Sequence, residues 1–258
     1  VALLDGIPGT LYADPWVNFG HNRSLAFARA KGTADWLLLM DADMAVTIDE
    51  GFDPDASTTD AYMIEMGSRM GFSYRLPLLV RGDLDWRSYG AVHEYTALAD
   101  HSFGRRTSTD AVRIDMTAED RGSMAKWRWH LGMLIDQKRK GFDPPRTTYY
   151  IGQTYQSLGQ TKLARRWYLE RTAMGGYEEE VFNAAYRAAM LAPWPQQAVE
   201  LMAAWEKRPT RLEPIHALVS ELNRRDMHHA AYALLANLNL AVPDDFMYVN
   251  ADVWLWGL

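Results

Sequence analysis

The stretch Trp36-Leu37-Leu38-Leu39-Met40-Asp41-Ala42-Asp43 sets an unbroken apolar run directly before two carboxylates. A short apolar run without alternation reads as a buried strand, expected to lie centrally in a sheet covered on both faces. Ligands of open α/β sheets bind at the carboxyl ends of the strands, where this acidic pair falls. Two hard oxygen donors there suit Mg²⁺ or Mn²⁺, which prefer carboxylates and bridge to phosphates. The plain alternative is an Asp-rich turn closing a strand.

Bulk composition narrows the class. The chain has 258 residues, enough for one large domain or two modest ones, and 48% hydrophobic with 23% charged residues is the balance of a globular protein. It contains no cysteine, which excludes disulfides and thiol catalysis and fits a cytoplasmic location. Apolar runs are too short to span a bilayer, and no secretory signal is evident. A net charge of −6 argues against a broad nucleic-acid footprint. Arg69, Arg75, Arg81 and the Arg105-Arg106 pair could still form a local basic cleft, or simply a solvated face.

Two textures follow one another. Residues 1–120 alternate apolar runs with turn clusters: a helix over Leu25–Ala30 opened near Asn22 or Ser24, and strands at Trp36–Met40, Ala61–Met66, Arg75–Arg81 and Ala111–Met116. The stretch Asp53–Asp60 reads as a polar loop. Residues 121–258 carry helical periodicity, and a degenerate repeat runs through them. Gly152, Tyr155, Ala164 and Tyr168 occupy the small and aromatic positions of a helix pair, and Ala164, Ala198 and Ala231 recur at roughly 34-residue spacing, with Pro243 near the end of the last unit. The expected fold class is therefore an α/β, Rossmann-like mixed-sheet domain followed by an all-α helical-repeat domain.

Further motifs flank the acidic pair. Trp16-Val-Asn-Phe-Gly-His-Asn-Arg-Ser24 stands upstream, followed by Ala28, Ala30, Gly32, Asp35 and Trp36, and Trp86-Arg-Ser-Tyr-Gly90-Ala-Val-His-Glu94 stands downstream. With Asp41-Ala-Asp43 they resemble family 2 glycosyltransferases of the GT-A fold, in the bacterial and phage-type subgroup with a tetratricopeptide-like tail. Arg146, Tyr149-Tyr150, Gly175-Gly176-Tyr177 and Glu180 fit the same subgroup, so the resemblance covers nearly all of the chain. One expected part is missing: the strand and loop that hold the nucleotide base in that family are not found ahead of Trp16.

The resemblance implies a metal-dependent, inverting transfer from a nucleoside-diphosphate sugar, a UDP-sugar foremost, to an acceptor hydroxyl. It implies Asp43 as ligand to Mn²⁺ or Mg²⁺, with Asp41 on the donor ribose or on the metal through water. Glu94 would be the general base, with Asp85 and Asp83 as runners-up. His93 would orient Glu94, contact the acceptor or complete the metal shell, and Trp86 would contact substrate. Arg23 would face the diphosphate, while Lys126 and Arg146 would cover it or bridge the two halves. A later histidine often completes the metal shell in such enzymes; His101 and His130 are out of place for it, and the expected position near Ala118-Glu119-Asp120 lacks one. The acceptor is open among saccharide, lipid-linked glycan, protein and modified nucleobase, and the helical half could recruit a protein partner. The alternative is a non-catalytic scaffold on a degenerate transferase domain. A nucleotidyltransferase would want a Gly-rich phosphate loop, which is not in the sequence.

Overall fold

The structure is a computed structural model. It describes residues 6, 8–67, 73–116, 123–236, 238, 245, 249, 250 and 253. The chain opens with helix α1 (Phe19–Ala30), then runs through β1 (Trp36–Leu38), β2 (Met44–Ile48), β3 (Ala61–Gly67), β4 (Ser73–Arg81), β5 (Trp86–Tyr89), β6 (Tyr95–Leu98) and β7 (Arg106–Met116). The helices α2 (Met124–Arg139), α3 (Pro144–Ser157), α4 (Thr161–Ala173), α5 (Glu178–Met190), α6 (Gln196–Lys207), α7 (Glu213–Arg224) and α8 (His228–Leu235) follow. A mixed sheet followed by helices matches the coarse expectation.

Five strands form one sheet in the order β1-β4-β3-β7-β2, in which the pairing is antiparallel except between β3 and β7; β5 and β6 form a separate hairpin. Strand β1 departs from the expected central position. It is an edge strand among the described residues, paired only with β4, rather than a central one. Its unbroken apolar character has another source, because both its faces are covered. Leu37 packs with Phe27, Ala61, Val80 and Trp86 on one side, while Trp36 and Leu38 pack with Tyr62, Ile64 and Ile114 on the other. The edge is closed by polar contacts as well: Trp36 Nε1 donates to Asp55 at 2.9 Å, and the Arg81 guanidinium sits 5.2 Å over the indole.

The order β1-β4-β3-β7-β2 puts consecutive strands β1 and β2 on opposite edges. A flat sheet of that width measures about 19 Å across, and six Cα steps span at most about 20 Å. Three of those steps are spent in a tight turn, since the Asp41 carbonyl accepts from Met44 N at 3.1 Å. The sheet must therefore curl, bringing its two edges toward the Asp41–Asp43 turn.

Helix α1 begins earlier than expected. Asn18 caps it by accepting from His21 N at 2.8 Å, whereas Asn22 turns back to Val17 N and the Pro15 carbonyl. The polar Asp53–Asp60 loop contains a single 3-10 turn, Pro54–Ala56, capped by Asp53. Strands β2, β5 and β6 were not expected. Strand β2 is largely exposed and displays no buried alternation, while β5 alternates buried and exposed side chains over only four residues.

The helices pack as successive pairs α3/α4, α5/α6 and α7/α8. Ala164, Ala198 and Ala231 fall in the second helix of each. Gly152 shows why small residues are needed: a Cβ there would lie 3.0–3.3 Å from the ring of Tyr168, which is fully buried. Pro243 lies outside the described residues. The two halves share a core, because Val92 from the β5–β6 connection packs among Leu134, Tyr149, Ile151 and Ala188, with Phe19 against the same cluster.

Candidate functional site

The site is built where α1 meets the β5–β6 connection. Glycine makes the approach possible. A Cβ on Gly20 would sit closer to the Gly90 carbonyl than any real Cβ comes to a neighbour, and 3.0 Å from the Ser88 carbonyl. The gap is filled by backbone bonds from Phe19 N to the Ala91 carbonyl (3.2 Å) and from Gly20 N to the Gly90 carbonyl (3.1 Å). One turn on, Ser24 Oγ donates to the Ser88 carbonyl and accepts from Ser88 N. Gly90 itself has φ +114°, and its own Cβ would lie 3.3 Å from Glu94 Cα. The connection is thus folded tightly enough to return Glu94 toward α1.

Residues 20, 23 and 24 share a helix face, so docking Gly20 and Ser24 delivers Arg23 to the same place. Its guanidinium joins two carboxylates from distant segments. Nη2 donates to both oxygens of Asp41 at 2.8 and 2.7 Å, and Nε pairs with Glu94 Oε1 at 2.7 Å. The Glu94 side chain is 15% exposed and that of Asp41 is 44% exposed, so the triad runs from the interior to solvent.

A second cation completes the wall. Arg146 Nη2 donates to the His93 carbonyl at 2.8 Å, and its guanidinium lies over the rings of Tyr95 and Tyr150. His93 adopts φ +51° and stacks on Tyr150 at 4.2 Å between centroids. Burial, joined by the nearby His130, Arg146 and Lys126, lowers its pKa to about 4, so it is neutral at pH 7. His130, buried in α2 among Phe19, Trp127, Trp129 and His93, has no hydrogen-bond partner at either ring nitrogen, and burial and Lys126 lower its pKa too. Lys126, on the first turn of α2, is therefore close enough to act on both histidines.

The fold brings together Arg23, Asp41, Glu94, His93, Lys126 and Arg146. It does not bring in Trp86, which is buried with Phe27, Ala61 and Val80 and donates Nε1 to the Arg81 carbonyl at 3.0 Å. Nor does it add Asp85, paired with Arg87 at 3.3 Å, or Asp83, beside Arg81. His101 stacks on Tyr89 in the turn after β6. Among the described residues, Arg75, Arg81, Arg105 and Arg106 are drawn into separate ion pairs or carbonyl contacts, Arg106 donating to the Phe103 and Thr96 carbonyls. Arg75 pairs with Asp110 and Glu65, Arg81 with Asp55, and Arg105 with Asp60, which holds the Asp60 carboxyl below its usual range. Arg69 and Ala118-Glu119-Asp120 lie outside the described residues.

One contributor escaped the sequence. Gln137, buried on α2, accepts from Ala91 N at 2.6 Å and donates to Thr147 Oγ1 at 2.7 Å, pinning the connection to two helices. A glutamine within an amphipathic helix carries no signal of such a task.

Among the described residues, no three His, Asp or Glu side chains converge to hold a metal ion. Asp41 and the half-buried Asp43 stand one residue apart at the sheet seam. Asp41 is engaged by Arg23, and an ion here would draw on Asp43 and Asp41 together with water. That donor set suits Mg²⁺ or Mn²⁺, which take one or two carboxylates beside substrate phosphates. Also among the described residues, no helix is long and apolar enough to cross a membrane. No protein-family model matches this chain, and no curated protein matches it.

Proposed function

We propose that this protein is a metal-dependent, inverting glycosyltransferase of GT-A type, similar to family 2, using a nucleoside-diphosphate sugar with UDP as the foremost nucleotide. The observation that carries the reading is the Arg23 bridge between Asp41 and Glu94. Three residues assigned separate tasks on resemblance stand within one guanidinium of each other.

In this reading Asp43 and Asp41 would hold Mn²⁺ or Mg²⁺, which would supply charge neutralisation for the departing diphosphate. Arg23, Lys126 and Arg146 add fixed positive charge, which strengthens contacts to phosphate oxygens. Glu94 accepts the proton of the acceptor hydroxyl. Its Oε1 is held by Arg23, which leaves the second carboxylate oxygen for that task, since a general base must come within hydrogen-bond reach of the proton it takes. Neutral His93, held by Tyr150 and Arg146, fixes the backbone from which Glu94 projects.

A thermal-shift series with UDP and GDP, each with and without Mn²⁺, tests the donor site, because a ligand of the folded state raises the midpoint by mass action. The expected result is a Mn²⁺-dependent rise with one nucleotide that Asp43→Ala abolishes. Glu94→Gln should retain that rise and lose donor turnover. The rival scaffold reading draws on the same triad, since one guanidinium already neutralises both carboxylates. The absence of any nucleotide-dependent shift would favour it.

A further inference from the structure

A cleft of about 390 Å³ lies between the start of α1, the β5–β6 connection and the second half of α2. We propose that it binds a neutral oligosaccharide chain. Its walls mix apolar surface with paired polar groups: Val17, Asn18 and His21 on one side, Met133, Asp136 and Lys140 on the other. The volume falls within the roughly 300–1,000 Å³ of small-molecule sites.

Two indoles adjoin the cleft's lining residues along the chain. Trp129 stands one turn before Met133 on the same face of α2, and Trp16 directly precedes Val17. The two indoles lie 6.0 Å apart, tilted by 36°, and are 45% and 52% exposed. Phe19 packs against both, at 4.8 Å from Trp16 and 6.0 Å from Trp129, which fixes their positions without covering them. Half-exposed indoles held rigid by their neighbours lose little entropy when a flat ligand stacks on them.

The chemistry selects the ligand. A pyranose offers an apolar C–H face to an indole, and adjacent hydroxyls that donate and accept in pairs. Asp136 and Lys140, an exposed ion pair 2.7 Å apart in the cleft wall, present an acceptor and a donor side by side, as vicinal hydroxyls require. Asn18 and His21 add further polar groups opposite them. A polyanion is disfavoured by the chain's net charge of −6 and by the carboxylate in the wall.

The cleft shares Gly90 and Ala91 with the connection that ends at Glu94, so a chain seated there would run along the back of the candidate catalytic loop. The proposal stands on the cleft alone and does not require that transfer occurs.

Tryptophan fluorescence of the full chain, titrated with neutral gluco-, galacto- and manno-configured tetrasaccharides at millimolar concentration, tests it. The expected result is saturable change with at least one sugar. Trp129→Ala and, separately, Asp136→Ala should each weaken binding by roughly tenfold, which is about 1.4 kcal/mol. Asp136 is largely exposed and Trp129 about half exposed, so the fold should persist, and unchanged far-ultraviolet circular dichroism would establish that. Asp43→Ala should bind the sugar as the parent does, which separates this site from the donor site. Absence of saturable change with every sugar would overturn the proposal. So would binding that survives both cleft substitutions, or a single-stranded oligonucleotide that binds through Trp129 where the sugars do not.

Discussion

Replacing Gly20 by alanine adds one methyl group, yet it should cost as much as a modest truncation of the core. The new Cβ would meet three backbone atoms: the Gly90 carbonyl oxygen, the Ser88 carbonyl oxygen at 3.0 Å and Gly90 N at 3.2 Å. Backbone cannot swing aside as a flexible side chain can, so α1 must move away from β5. Over-packing of this kind costs about 1–3 kcal/mol. The movement stretches the bonds from Phe19 N and Gly20 N, each worth about 1 kcal/mol net. The better helix propensity of alanine returns at most about 1 kcal/mol. The balance is a destabilisation of about 2–3 kcal/mol, or a midpoint lower by on the order of 5–10 °C. Gly132, inside α2, is the control, because a Cβ there meets nothing within 4 Å. Gly132→Ala should stabilise by about 0.5–1 kcal/mol. Urea unfolding followed by circular dichroism measures both, with the slope expected to stay constant. A Gly20→Ala midpoint indistinguishable from the parent, or a destabilised Gly132→Ala, would refute the reasoning.

Two more outcomes follow from the site. Arg23→Met leaves Glu94 buried without its partner and should lower stability by about 2 kcal/mol; the additional change Glu94→Gln should restore part of that loss in the same urea assay. His93 gives a pH signature: its folded pKa of about 4 lies below the unfolded 6.5, so the unfolded chain binds the proton first. Stability is therefore full above about pH 6.5 and falls as pH drops toward 4, by about 3 kcal/mol at 1.36 kcal/mol per unit. His93→Asn, which tolerates the positive φ, should flatten urea midpoints across that window. A profile as steep as the parent's would remove His93 as the cause.

Much of the secondary structure was legible because it is written in near neighbours. The apolar run before Asp41, the runs at Ala61–Met66 and Arg75–Arg81, and the recurring small residues of the helical half each signal their state within a few residues of chain. The errors arose where chain-local signals do not reach. The resemblance puts Trp86 on substrate, and a motif match does not tell a buried indole from an exposed one; the packing of Phe27, Ala61 and Val80 around it does. The run at Trp36 looked central because both its faces are covered, which is equally true of a covered edge.

The sequence alone determined that this is an α/β chain with a helical second half and no cysteine chemistry, and that acidic residues close its most apolar strand. Those properties depend on composition and on periodicities of two and 3.6 residues. The meeting of Arg23 with Asp41 and Glu94 depended on tertiary structure. It requires a strand order that crosses the sheet, a glycine-to-glycine approach between α1 and the β5–β6 connection, and a buried glutamine holding that connection to α2. Each of these is a contact between distant segments, whose free energy exists only once the chain has closed the loops between them.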